Sequence, residues 1–503
     1  MSVHSESTPL PPPASAFAAI DPGAFDAAAA RHLLRRMGYA ATPRAVETAL
    51  QAGVLNTVTG AYARERPMPR PADIARFDEG KAEFRKTLRG LSEKERKEAV
   101  EDVRRKRRQI FTEYGVHWLT FAREPENSVQ EKAVAWLQDI LVVGAQKVDD
   151  PAQLFDYQAT LRHGLYGDYP ALLRAVLRQP AMIRYLDLSQ SRVGAPNENF
   201  ARELCELFSL GEGTYTEQDV KEIARALTGV VLAGGNDFRF DARRHDTKPK
   251  TIFGKTGDWG LDEVIDLIAA HPAFPTFVAR DFLRYFVSWE ALPQNEAYAV
   301  ELGKIWKTRG FKITELPKIV FCSRLFYAPS LRGERIKSPQ EYYLGLCQDL
   351  NIDTVPFPGP VLGSLRAMGQ TFYDPPNVRG WIAGRNWINS STLSARRQVA
   401  RTLFNPVNEK NLNADDKRAL DAAIKAGHGR FTVTDDRLRW LAENRTNEEI
   451  ARHLSDYFLP VPVSDAFRKA IVDAIPDSPP ENRLRGLRET VVALLQSPLY
   501  QLS

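Results

Sequence analysis

Along most of the chain, apolar residues recur at spacings of three and four, and alternation sustained over six or more residues is scarce. That pattern predicts a mainly α-helical fold. The stretch FDAAAARHLLRRMGYAATPRAVETALQAG reads as a helix ending near Gly38, then a second one beginning at Thr42-Pro43. Threonine there is the expected cap and proline the expected first helical residue. From Lys81 to Phe121 the pattern predicts a long charged helix or helical pair, its sparse apolar positions including Phe84, Leu88, Val103 and Ile110. EPENSVQEKAVAWLQDILVV is a further amphipathic stretch, and DYPALLRAVLRQPAMIRYLDL is divided by Pro180. The same grammar continues through PNENFARELCELFSLG and TEQDVKEIARALTGV, where Thr216 to Asp219 forms a capping-box-like start.

Two segments break the helical pattern. VLAGGNDFRFDARRHDTKPKTIFGKTG is glycine-rich at both ends with a short FRF strand candidate, which predicts a β-containing loop or hairpin inserted between helices. The run from Gln370 to Ser390, QTFYDPPNVRGWIAGRNWINS, carries Gly, Pro and Asn that specify an irregular loop around two tryptophans. Pro-, Ser- and Ala-rich residues 1–24 predict a disordered tail, residues 25–398 a large helical body, and residues 399–503 a C-terminal helical extension packed on it. With 503 residues, 43% of them hydrophobic, the chain buries enough surface to need neither disulfides nor a structural metal.

Charge changes this picture little. The formal net charge is +5, and residues 81–108 alone hold 12 basic and 6 acidic side chains, so the remainder is close to neutral. Because acidic residues are interspersed in that segment and no zinc finger or RRM-like pattern accompanies it, a solvated helix is the better reading and nucleic-acid binding is disfavoured. Cys205, Cys322 and Cys347 make no C-x-x-C pair. No transmembrane window occurs and the start lacks the features of an export signal, so the expected location is cytoplasmic, or exported with the leader absent from this chain. P-loop, dinucleotide and G-x-S-x-G signatures are absent from the sequence.

The densest polar patterning is Pro196-Asn197-Glu198-Asn199-Phe200-Ala201-Arg202-Glu203-Leu204-Cys205-Glu206. On a helix Asn199, Glu203 and Glu206 share a face beside the apolar stripe of Phe200 and Leu204. Neighbouring carboxylates can ligate a hard cation or split their pKa values for acid/base work; the competing reading is ordinary four-apart ion pairs through Arg202. Arg225 is placed to reach Glu203 or Glu206 across the turn LGEGTY. His245, Asp246 and Lys248 lie in the glycine-flanked loop, where histidine titrates near neutrality, aspartate offers a carboxylate and lysine can offset an anion. A solvated basic loop is the alternative there. The tryptophan loop suits either a docking surface for a sugar or peptide, or an internal loop that joins parts of the fold.

HLLRRMGYAATPRAV, PAMIRYLDL, the PNEN-to-LTG block, HDTKPKTIFG, HPAF, KSPQEYY and FYDPPNVRGWIAGRNWINSSTLSARR together resemble the bacterial DUF1800 family of unknown function over about residues 28–398. LTGV stands where the family commonly has a tryptophan after the glycine. The resemblance implies a sulfatase-like DUF1501 partner and often an export leader; it carries no catalytic assignment. The matching motif positions are Asn197, Glu198, Asn199, Arg202, Glu203 and Glu206, then His245, Asp246 and Lys248, then Asn377, Gly380, Trp381 and Trp387. The resulting expectation is a divalent-metal-dependent hydrolase or transferase at a cleft between the PNEN helix and the HD loop. In it Glu203, Glu206, His245 and Asp246 hold the metal, Asn199 orients a ligand or water, and Arg202 or Lys248 offsets charge. The alternative is a non-catalytic interaction or assembly protein that docks through its tryptophan-rich loop.

Overall fold

A computed structural model describes residues 9–234, 237–290, 292 and 296–503. Among the described residues there are 23 α-helices and two short antiparallel hairpins, so the chain is mainly α-helical. No helix among them is long and apolar enough to cross a membrane.

Local chemistry sets the helix boundaries. Thr42 accepts from the Ala45 amide and Pro43 opens the helix Pro43–Ala61, while the preceding helix Ala27–Met37 stops at Gly38. Thr216 and Asp219 form a reciprocal capping box on the helix Glu217–Ala226, satisfying amides that would otherwise lack partners. Asn197 caps the PNEN helix, Glu198–Glu206, by accepting from Phe200 N at 3.1 Å, and its own amide donates to Leu186 O at 2.9 Å. The charged 81–121 stretch resolves into a helix Ala72–Thr87, a short turn through Leu88–Gly90, and a helix Glu93–Arg123. Full burial in the latter starts at Ile110; before it Val103 packs partly against the core and most other residues of the first half are exposed.

One continuous apolar cluster extends from Ala16 to Tyr500 and takes in Leu487, Val491, Leu494 and Leu495 of the helix Pro480–Gln496. The segment after residue 398 therefore shares the core of the main body. A small second cluster gathers Phe357, Leu420 and Phe431. The tail expected over residues 1–24 lies outside the described residues for 1–8, and from residue 9 onward the chain is packed. Ile20 N donates to Cys322 O, Leu325 N donates to Ala16 O, and Ala16 and Ile20 are buried. Those two apolar residues and the backbone bonds outweigh a composition that suggests disorder.

The inserted segment forms β1 (Val230–Ala233) paired with β2 (Asp237–Phe240), and β3 (Lys250–Ile252) paired with β4 (Lys255–Gly257). The expected FRF strand is part of β2, in register with Val230 opposite Phe240. Between β3 and β4 both Phe253 (φ 47°) and Gly254 (φ 75°) are left-handed, as a two-residue turn matched to strand twist requires. A phenylalanine in that position is held by Asp219, which accepts from Phe253 N at 2.7 Å.

Candidate functional site

The PNEN helix buries Phe200, Ala201, Leu204 and Cys205 and leaves its polar face outward. Asn199 is exposed. Arg202 reaches Glu217 on the next helix through two bonds of 2.6 and 2.8 Å. Glu206 pairs with Arg379 of the tryptophan loop, and Arg379 also binds Glu212 at 2.8 Å. Glu203 is half-buried; burial and the adjacent Glu206 raise its carboxyl above the usual range, with Arg379 and Arg202 opposing. Among the described residues no side chain donates a hydrogen bond to it.

The HD loop is tied to a different helix. Arg225 grips Asp246 through Nε at 2.8 Å and Nη2 at 3.2 Å, and binds Glu222 at 2.7 Å. Asp246 also accepts from the Lys248 amide at 2.9 Å, and its own amide donates to Thr228 at 2.8 Å. The guanidinium bond to Asp246 outweighs desolvation and holds this carboxyl down at about 2. His245 Nδ1 lies 2.9 Å from Thr228 O with its ring against Phe240, and the Lys248 side chain is exposed. Arg225 therefore does not bridge to Glu203 or Glu206; its partners lie on its own helix and in the loop that the two hairpins bring back. Among the described residues no group of three or more His, Cys, Asp or Glu side chains is disposed to hold a metal ion. Of the expected ligands Glu203, Glu206, His245 and Asp246, Asp246 is paired with Arg225 and Glu206 with Arg379.

The tryptophan loop faces inward. Ala145 N donates to Tyr373 O at 2.7 Å, Gln146 binds Pro375 O at 3.2 Å, and Arg385 pairs with Glu290 at 2.7 Å. Trp387 is buried, while Ile382 is exposed. The loop thus closes over a chamber of about 50 Å³ whose walls include Trp118, Trp381 and Trp387, with Gln138, Tyr285 and Gln340 supplying polar atoms.

Asp139, at the end of the helix Pro125–Ile140, borders this chamber. It is enclosed by protein at longer range and keeps some accessible surface. Burial and the neighbouring Asp281 push its carboxyl up to about 7, with Arg284 and the Trp381 amide acting the other way. That amide is a weak partner at 3.4 Å. Asp281, by contrast, accepts from Trp136 Nε1 at 2.9 Å and from Arg284 at 2.8 Å. Gly380 has φ 78°, and a Cβ there would meet Asp139 Oδ1 at 2.8 Å, so glycine is what lets the loop lie against the carboxylate. Arg335 also lines the chamber, but it is engaged by Glu341 at 2.7 and 2.8 Å, and Lys132 adds a third contact to Glu341 at 3.0 Å.

Sequence reasoning passed over Asp139. Its signal is the polar pair Gln138-Asp139 set inside the apolar run AVAWLQDILVV. A polar pair so placed is either at a helix surface or buried for a reason.

No curated protein and no solved structure matches the chain. The match to a family runs through the C-terminal helices that the sequence pattern set apart as an extension, in keeping with their share in the core. The family model described as protein of unknown function (DUF1800) matches residues 32–502, and the chain belongs to that family.

Proposed function

We propose that the protein is a hydrolase or transferase working by general acid–base catalysis, with Asp139 as the proton-transferring group in the chamber beneath the tryptophan loop. The observation that carries this reading is a carboxyl group raised to about 7 at the edge of a polar, aromatic-walled void. A strongly perturbed acid in a cleft is a candidate functional group, and a pKa near the working pH populates both donor and acceptor forms. Tyr285, Gln138 and Gln340 line the same space and suit hydrogen bonding to a neutral polar substrate, and the tryptophan faces suit the flat apolar side of a sugar-like ring.

The chamber, with about 50 Å³ of free space, holds a few waters. Small-molecule sites span about 300–1,000 Å³. Substrate binding in this reading therefore requires the tryptophan loop to lift. A metal-assisted version at the PNEN helix has less support, since two of its four ligands are held by arginines.

Two measurements test the proposal. Infrared titration of the carboxyl stretch is expected to show a protonated aspartic acid that ionises near pH 7 and disappears in Asp139→Asn. Turnover of neutral glycosides and esters is expected to bend near pH 7 and to fall about 10²–10⁴-fold in Asp139→Asn. An Asp139 ionised throughout pH 5–9, or turnover unchanged in the variant, overturns it.

A further inference from the structure

A second surface lies away from the chamber and is independent of the acid–base reading. The helix Ala72–Thr87 and the exposed half of the helix Glu93–Arg123 splay apart beyond the turn Leu88–Gly90, leaving a groove of about 630 Å³ between them. Its floor is apolar: Phe84, Leu88, Val100 and Val103 line it, and Val100 is 40% exposed. A valine in that position gains nothing from water and covers no core. The rims are cationic, with Lys81 and Arg85 on one side and Arg104, Lys106 and Arg107 on the other.

The carboxylates within the groove, Asp149 and Asp150, are already spent. Asp149 pairs with Arg107, and Asp150 binds Lys81 at 2.6 Å while capping the helix Pro151–Gly164. Arg104 has only an exposed pair with Glu101 on its own helix at 3.2 Å, and Arg85 is anchored to the Gly234 carbonyl at 2.6 Å. Among the described residues Lys106 has no ion pair. Exposed pairs of this kind are worth little each, so incoming carboxylates can recruit these cations at small cost.

We propose that this groove docks an acidic amphipathic helix of a partner protein. Leucine-type side chains fill the slot between the two arms, and flanking glutamates or aspartates meet the cationic rims, as in helix-in-groove recognition. Charge complementarity selects the sign of the partner, and the apolar floor selects its class. A nucleic-acid site needs aromatic faces free for stacking or a continuous phosphate track. Here the groove has two rings: Phe77, buried and already covered by Lys81 at 5.4 Å and Arg107 at 5.9 Å, and the half-buried Phe84 of the floor, which is too little for a stacking track.

The test uses the full chain and a fluorescein-labelled peptide of about 18 residues, with leucines on one helical face and glutamates elsewhere. A permuted peptide of the same composition, a single-stranded oligothymidylate and phosphatidylserine vesicles are run alongside. Binding of the amphipathic peptide is expected to be at least about tenfold tighter than that of the permuted one and to weaken at higher salt. Val100→Asp and, separately, Lys106→Glu are each expected to weaken it severalfold with an unchanged melting temperature. Both positions are exposed, so if one variant misfolds the other still decides. Equal binding of the permuted peptide, tighter binding of the oligonucleotide or vesicles, or no binding of any probe overturns the proposal.

Discussion

Asp246 and Asp139 both expose little surface, but Asp139 is enclosed far more deeply, and their carboxyls move in opposite directions, to about 2 and about 7. Asp246 receives a two-pronged arginine and a backbone amide. Asp139 has one long amide contact and another carboxylate nearby. Burial and compensation both separate them: desolvation is the largest influence on Asp139, and the Arg225 bond is the largest on Asp246. The region densest in recognisable motifs, from the PNEN helix to the HD loop, holds several paired charges, and its arginines knit three chain segments into a scaffold. The perturbed acid lies under a loop whose arginines, Arg379 and Arg385, are taken up by Glu206, Glu212 and Glu290. Polar density in a sequence therefore marks where a fold is specified as readily as where chemistry occurs.

Removing partners from compensated sites breaks this comparison most severely. Glu341 is buried and held well below the usual carboxylate range chiefly by Arg335 and Lys132, against a strong desolvation cost. Glu341→Gln leaves two buried cations unpaired and is expected to lower the urea-unfolding free energy by about 3–5 kcal/mol. Arg225→Met should cost less, about 2 kcal/mol, because the Arg225 side chain is 23% exposed and water screens what remains. In the wild type, Asp246 has a folded pKa of about 2, below its unfolded value near 4. Its stabilisation is present above about pH 4 and lost as pH falls toward 2, and Arg225→Met should flatten that acid limb. Faster hydrogen exchange at the Lys248 amide would accompany the change. A flat response to either substitution would mean that these pairs are incidental.

Asp139→Asn should act with the opposite sign and the smallest size. A carboxyl raised to about 7 in the fold and near 4 when unfolded makes wild-type stability fall as pH rises from about 4 to about 7. Above pH 7 the variant is expected to be more stable by about 1–2 kcal/mol, a discounted figure because the group borders a void, and the two melting curves should converge below pH 4. A variant less stable than wild type at pH 8 would place Asp139 among the compensated scaffold residues.

What was legible in the sequence was local. Thr42-Pro43, Gly38 and Thr216 to Asp219 act on amides within a turn of themselves, so their roles follow from spacing. The FRF strand and the irregular character of the tryptophan loop followed from glycine, proline and alternation. Arg225 finding Asp246 rather than Glu203 depends on how two hairpins return the chain across the helix Glu217–Ala226, which no spacing rule encodes. Asp139 was hidden for the same reason at longer range. Its neighbour Trp381 is 242 positions away, and a polar residue on an amphipathic helix looks the same whether solvent or a distant loop covers it.

The size of the chamber also sets a rate. With about 50 Å³ free and Gly380 lying against Asp139, the seated loop leaves little room beside the carboxyl. Association of any bulky molecule is then limited by how often the loop unseats. Observed binding rates should level off at high ligand concentration instead of climbing with it, and the plateau should respond to the exposed ion pairs of Arg379 and Arg385.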